Sequence, residues 1–296
     1  MTFASPKTLL RRLGLRPRKA WGQHFLLYPH QAQRIVAALS LTGEETVVEI
    51  GPGLGALTVF LAQEAKRVVA LERDPALARY LAEELFPGNP QVQILSQDAL
   101  AFDFLECSRD ARRPIYVAGN LPYQITSPLL FKLIGEKSGV SQAVLMMQQE
   151  VGARLLSPPG TKDYGILSIL SQYHFSLERL FALGPANFFP SPQVDSVVLR
   201  LTPRQVEPPA RDEALLARVV KAAFAQRRKT LNNTLVNRAS AFGLAPEAMR
   251  AIFQALEIDP GRRGETLSVA QFVALSNAIS RDGPGPSPHK QLSPKD

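Results

Sequence analysis

The chain carries a glycine-rich turn at 49-EIGPGLGALT-58, directly after the apolar, β-branched run 46–48. Glycines at such a strand-to-helix turn let the backbone approach a ligand closely, with helix N–H groups facing it. Gly51, Gly53 and Ala56 satisfy the dinucleotide pattern G-x-G-x-x-G/A, and Glu72 follows Gly51 by 21 residues at the end of the next apolar run. An acid there can accept hydrogen bonds from ribose hydroxyls. To this point a nicotinamide enzyme and an enzyme using another nucleoside cofactor are both allowed. Glu49 lies just ahead of the glycines, where a carboxylate suits a cationic amino-acid arm better than a pyrophosphate. Asp98, at the end of a third run, can accept from an adenine amine. Together these residues describe an S-adenosylmethionine pocket.

The fourth run ends in 120-NLPY-123. An exocyclic amine is a poor nucleophile because its lone pair is delocalised into the ring. The Asn120 side-chain oxygen and a backbone carbonyl of Leu121 or Pro122 can each accept one of its N–H bonds and draw the lone pair toward an incoming methyl. Pro122 stiffens the turn, and Tyr123 offers a ring for a flipped base to stack on. Phe188 or Phe189, within 187-NFFPSPQVDS-196, is expected to cover the second face of that base.

Elements must deliver these groups to one place. Candidate strands lie at 45–51, 67–73, 91–98, 113–120, 141–149, about 174–182 and 195–201, with helical patterns near 55–65, 75–86, 126–137 and 164–173. The βαβ rhythm and the continuous apolar runs imply an α/β fold: a doubly wound sheet of seven strands, mostly parallel and covered on both faces. No crossover helix separates the last two strands, so an antiparallel edge is expected. The Pro-rich stretch 203-PRQVEPPA-210 reads as a domain boundary. Helical patterns at 212–225, 229–241, 246–256 and 266–280 make a small C-terminal all-helical domain, and the Pro- and Gly-rich tail is expected to be disordered. The expected organisation is a basic flexible arm over 1–20, a methyltransferase domain over 21–203, a helical RNA-binding domain over 211–281 and a tail over 282–296.

Charge is unevenly placed. The net +8 divides into +6 over residues 1–30, −2 over 31–205 and +4 over 206–296. Cations at both ends of a near-neutral body suggest an anionic polymer, nucleic acid first. One cysteine and four scattered histidines make a disulfide framework or a metal centre unexpected. No apolar run reaches the roughly 20 residues of a membrane span, and no apolar segment of a signal peptide follows the basic N-terminus. A reducing cytoplasm is expected.

The segments 22-GQHFL-26, 49-EIGPGLGALT-58, 72-ERD-74, 97-QDAL-100, 120-NLPYQI-125, 188-FFPSPQVDS-196 and 224-FAQRRKTLNNTL-235 resemble the KsgA/RsmA ribosomal RNA adenine dimethyltransferases, in order over about residues 18–280. The glycine loop alone is unspecific, whereas the GQ-x-FL and QRRKTL segments are highly specific. The resemblance implies a Rossmann-like methyltransferase fold. It also implies transfer of methyl groups from S-adenosylmethionine, without a metal, to N6 of two adjacent adenosines. These lie in the 3′-terminal hairpin loop of 16S rRNA, and the transfer comes late in 30S assembly. By the same resemblance His24 and Leu26 cover the methionine end of the cofactor. Gly51 approaches its backbone, Glu72 meets the ribose, Asp98 the adenine amine, and Asn120 both cofactor and target. Tyr123 and Phe188 sandwich the target base. The family commonly has Asn where this chain has His24. Lys221, Arg227, Arg228 and Lys229 are candidate RNA contacts, and the N-terminal arm from Lys7 to Lys19 is expected to order only on RNA. The expected partner is 16S rRNA in the small subunit, with the enzyme a monomer. A methyltransferase acting on large-subunit rRNA and a noncatalytic assembly factor are the competing readings.

Overall fold

The computed structural model describes residues 5–18, 21–122 and 124–282. Nine strands are formed among them: β1 (Phe25–Leu26), β2 (Thr46–Ile50), β3 (Arg67–Leu71), β4 (Val92–Leu95), β5 (Ile115–Asn120), β6 (Val140–Gln148), β7 (Phe175–Leu183), β8 (Phe188–Phe189) and β9 (Ser196–Pro203). Seven make one sheet in the order β4-β3-β2-β5-β6-β9-β7. The strands from β4 to β6 run parallel, and β9 is antiparallel to both β6 and β7. This is the seven-stranded arrangement expected from sequence, antiparallel edge included. β2 is buried at all five positions, which is why it reads as an unbroken run and not as an alternation.

Strand order reverses between β2 and β5, and α/β sheets of this kind bind ligands at the carboxyl ends of strands flanking such a reversal. The glycine turn leaves β2 there, and Asn120 ends β5 beside it.

The chain divides into two compact units: residues 1–152 with 175–203, and residues 153–174 with 204–296. The first unit holds both sheets together with α1 (Pro6–Arg12), α2 (Pro29–Ala37), α3 (Thr58–Glu64), α4 (Pro75–Tyr80), α5 (Phe104–Ala111) and α6 (Thr126–Gly135). One face of its sheet, through Val47, Val68, Ala118, Val144 and Val198, packs in one cluster with Leu9, Ile35, Leu39 and Leu61. Residues 6–12, expected within a flexible arm, form a helix instead. Pro6 starts it, and Leu9 and Leu10 are buried against the cluster, a gain that loose solvation would forfeit.

A helix α7 (Gln149–Leu156) leads into the second unit, which also holds α8 (Ile166–His174), α9 (Glu213–Phe224), α10 (Leu231–Thr234), α11 (Pro246–Ala255) and α12 (Val269–Asp282). The sequence reading assigned 153–174 to the sheet domain; these residues cluster with the C-terminal helices instead. The Gly160 N–H donates to the Glu265 carbonyl at 2.7 Å, the Arg227 guanidinium donates to the Lys162 carbonyl, and the Tyr173 hydroxyl accepts from Ala210 N–H at 3.0 Å. The expected disordered tail lies outside the described residues from 283 onward, as does Lys19. Among the described residues no helix is long and apolar enough to cross a membrane, and no group of three or more His, Cys, Asp or Glu side chains could hold a metal ion.

Candidate active site

A cavity opens at the carboxyl ends of β2, β3, β4 and β5. His24, Leu26, Glu49, Gly51, Glu72, Asp98, Asn120 and Pro122 all line it. The expected cofactor residues are therefore brought together from five separate stretches of chain. Each arrives because its strand ends there: Gly51 N–H continues the ladder to the Leu71 carbonyl, and Glu72 N–H to the Leu95 carbonyl.

Gly51 has φ +66°, a backbone conformation that costs a side-chain-bearing residue energy. A Cβ there would lie 3.8 Å from the Asn120 carbonyl oxygen, so its absence leaves a cradle open between the glycine turn and the end of β5. Glu72 holds that turn in shape. Its carboxylate accepts from Gly53 N–H at 2.9 Å and from Asp74 N–H at 2.8 Å. Asp74 in turn caps α4 by accepting from Ala76 N–H, and it accepts from the Gln23 side chain at 3.3 Å. Sequence reasoning passed over Gln23 and Asp74, although both sit inside the quoted GQHFL and ERD segments. Asp98 accepts from Leu100 N–H with one oxygen, while the other lies 3.8 Å from Arg73.

Asn120 donates through Nδ2 to the His24 carbonyl at 2.8 Å, which leaves its Oδ1 as an acceptor beside the cavity. The His24 ring is aimed elsewhere: its Nδ1 donates to the Pro190 carbonyl at 2.7 Å. His24 thus ties the 188–192 segment to the end of β5. Leu121 is buried, and its N–H donates to the Met146 carbonyl, so it fixes the turn without lining the cavity. Tyr123 lies outside the described residues.

Phe188 departs from expectation. It pairs with Leu26 in the two-stranded β1–β8 ribbon, is 3% exposed, and belongs to the hydrophobic cluster. The register turns its ring into the core, so it does not present a face to a base in this structure.

Glu49 is the unusual titrating group. It lies level with Ala70 in β3 and Ala118 in β5, Thr58 hydrogen-bonds to it, and its Oε2 has no hydrogen-bond partner. Burial, reinforced by the nearby charge of Glu72, pushes its pKa up to about 8. At neutral pH it is therefore largely protonated, not the standing anion expected from sequence. A buried carboxyl with one unpartnered oxygen lining the cavity fits a cationic ligand group, which would draw off the proton. Its native pKa exceeds the ordinary value of 4.5, so the folded state holds an extra proton between those limits and stability falls as pH rises from 4.5 to about 8. Glu49→Gln should therefore gain melting temperature over the unsubstituted protein between about pH 5 and pH 8.5, and a gap independent of pH would show that Glu49 titrates normally.

The cations of 226–229 are not on a helix. α9 stops at Phe224, and residues 225–229 form turns before Thr230, in extended backbone, starts α10. Arg227 is already committed: its Nε lies 3.1 Å from Glu265, and its guanidinium also meets the Lys162 carbonyl. It is a tie within the second unit. Arg228 and Lys229 are exposed on the turn, and Lys221 is half-buried on α9.

The profile of the family described as "Ribosomal RNA adenine dimethylase" matches residues 14–280. A protein of Myxococcus xanthus named "Ribosomal RNA small subunit methyltransferase A" is 43% identical over 93% of this chain and 95% of its own length. One of the same name from Geobacter sulfurreducens is 44% identical over 93% and 99%. The crystal structure of a dimethyladenosine transferase from Plasmodium falciparum superposes with a TM-score of 0.74 at 25% identity, covering 85% of this chain and 96% of that one. The 23S rRNA methyltransferase ErmE, at 24% identity and a TM-score of 0.64 over 86% and 99%, shares the fold. The chain belongs to the ribosomal RNA adenine dimethylase family.

Proposed function

We propose that this chain dimethylates N6 of two adjacent adenosines in the 3′-terminal hairpin loop of 16S rRNA, with S-adenosylmethionine as methyl donor, in the cytoplasm and as a monomer. The observation that carries the reading is the placement of Asn120. Its amide stands at the cavity beside the glycine turn, held by Nδ2 donating to the His24 carbonyl, at the end of a strand whose next residues are Leu121 and Pro122. The small-subunit target is supported by relatives of that name that match over nearly their whole length.

S-adenosylmethionine would supply a methyl group made electrophilic by its sulfonium. Glu72 and Asp98 are the acids that would hold its ribose and adenine amine, and Glu49 faces the cationic end. The protein's remaining work is positioning. Asn120 Oδ1 and a backbone carbonyl of the following turn accept the two N–H bonds of the target amine and turn its lone pair toward the methyl. The methylated amine would give its proton to water, so no side-chain base is required of this chain. The second unit, with Arg228 and Lys229 exposed, is the RNA-binding domain in this reading.

The test is methylation of undermethylated 30S particles against 23S rRNA, read by mass mapping of adenines. Product in the 3′-terminal hairpin loop of 16S rRNA supports the reading, and product confined to 23S overturns it. RNA affinity should also fall steeply with salt, since each neutralised phosphate releases counterions. A plot of log affinity against log salt with no slope would remove the cationic grip.

A further inference from the structure

Just past the cavity-lining Leu26, the chain leaves the β1–β8 ribbon at Leu27, whose N–H donates to the Asn187 carbonyl at 2.8 Å, and enters α2. Tyr28, Pro29 and His30 are all exposed there. Three large hydrophobic side chains are exposed among the described residues, and Tyr28 is the most so, at 46%. Its ring stacks on the His30 ring, with centroids 5.7 Å apart and planes 26° apart. One turn further on, the exposed Arg34 is already held in place. Its Nη1 donates to the Gln31 side chain at 2.9 Å, and its guanidinium lies 3.9 Å from the centre of the Phe181 ring of β7. Gln31 also donates to the Asn187 side chain at 3.4 Å, so the start of α2 and the ribbon make one surface. Glu178, the acid of β7, is taken by Arg200 at 2.7 Å, and the chain has no acid before Glu44. Tyr28, His30 and Arg34 belong neither to the cavity wall nor to the hydrophobic cluster. A tyrosine face left in water beside a second ring and an ordered guanidinium has the chemistry of a nucleotide platform.

We propose that Tyr28, His30 and Arg34 form a platform for the unpaired nucleotide next to the target adenosines, its base stacking on Tyr28 and its phosphate meeting Arg34. The platform rests on the reading of the substrate as an RNA loop. The ribbon sets it beside the cavity: Leu26 of β1 lines the cavity, and His24 ties the segment after β8 to the end of β5. Every base has a face to stack, so the platform selects an unpaired nucleotide over a stem without reading its sequence. Tyr28 begins α2 through its backbone, without a side-chain cap, so the helix survives its replacement.

The full-length protein is titrated into a synthetic RNA stem–loop carrying two adjacent loop adenosines. One version of the RNA has 2-aminopurine on the 5′ side of the pair, and another has it on the 3′ side. In one of the two versions the bound RNA should be less fluorescent with the unsubstituted protein than with Tyr28→Ala. Tyr28→Ala should weaken binding about tenfold, the size of one lost base stack, while Tyr28→Phe should bind as the unsubstituted protein does. Arg34→Ala should lower the slope of log affinity against log salt by about 0.7, the share of one phosphate on a single strand. The proposal is overturned by equal fluorescence in both versions, by full affinity in Tyr28→Ala, by an unchanged salt slope in Arg34→Ala, or by no binding of the unsubstituted protein. A surface meant for a protein partner would leave all these RNA readouts unmoved. Methylation of the 30S particle is scored separately. Binding as expected without 16S product would sink the proposed reaction and leave the platform standing. Product with unmoved RNA readouts would do the reverse.

Discussion

Asn120→Ala should lower the single-turnover rate of methyl transfer by about 10²- to 10³-fold, the usual loss when one preorganised polar group at a reacting centre is removed. The reason is local. Nδ2 donates to the His24 carbonyl at 2.8 Å, so the amide is held at the cavity before any substrate arrives, and in the proposed reading its Oδ1 accepts an amine hydrogen. Alanine removes the acceptor and the tether together. Affinity for S-adenosylhomocysteine separates the two roles, because a group acting on the target amine should leave it within about threefold. A variant that transfers methyl groups at the unsubstituted rate refutes the amine-polarising role. A loss seen equally in cofactor affinity moves Asn120 to the cofactor shell. Gly119, one residue earlier, shows how tightly this position is specified. A Cβ there would sit 2.7 Å from the Ile50 carbonyl oxygen, so β5 can approach β2 only with glycine ahead of Asn120.

The parts of this site that were legible in the sequence share one property: they sit at strand ends. A buried parallel strand is a contiguous apolar run, and the residue that ends it is visible without knowing any pairing. Glu72, Asp98 and Asn120 were found that way, and the sheet order then needed only the βαβ rhythm. What stayed hidden depends on pairings between distant segments. β1 and β8 are two residues each and lie about 160 positions apart, too short to leave a periodic signal, yet their register decides that Phe188 is core. Arg227 looks like a free cation until Glu265 folds against it. Glu49 reads as an anion in the sequence because no local pattern reports its burial between β3 and β5 or the nearness of Glu72. The α1 helix is masked by its charge: six cations in thirty residues dominate the eye, while Pro6, Leu9 and Leu10 carry the burial.

Glu72→Ala should weaken S-adenosylhomocysteine binding by roughly 10- to 100-fold, which is what losing hydrogen bonds to a charged group costs at about 1.5–3 kcal/mol. Two effects combine. The carboxylate is the acid placed for the ribose hydroxyls, and it is also the clamp on the turn that must receive the rest of the ligand. With it gone, Gly53 N–H and Asp74 N–H lose acceptors at 2.9 and 2.8 Å, and each buried unsatisfied donor costs about 1–3 kcal/mol. Part of this is returned, because burial raises the pKa of Glu72 and shows that its charge is itself costly to hold. Net destabilisation should therefore be smaller than two orphaned donors imply, and a melt alone would understate the residue's importance. Glu72→Gln discriminates between clamp and ligand contact. Its single oxygen can satisfy one of the two N–H groups, but its amide nitrogen meets the other as donor against donor, so the turn should stay distorted and affinity low. Full affinity in Glu72→Ala, in a sample shown to be folded by its melt, would take Glu72 out of the pocket and leave it only the turn.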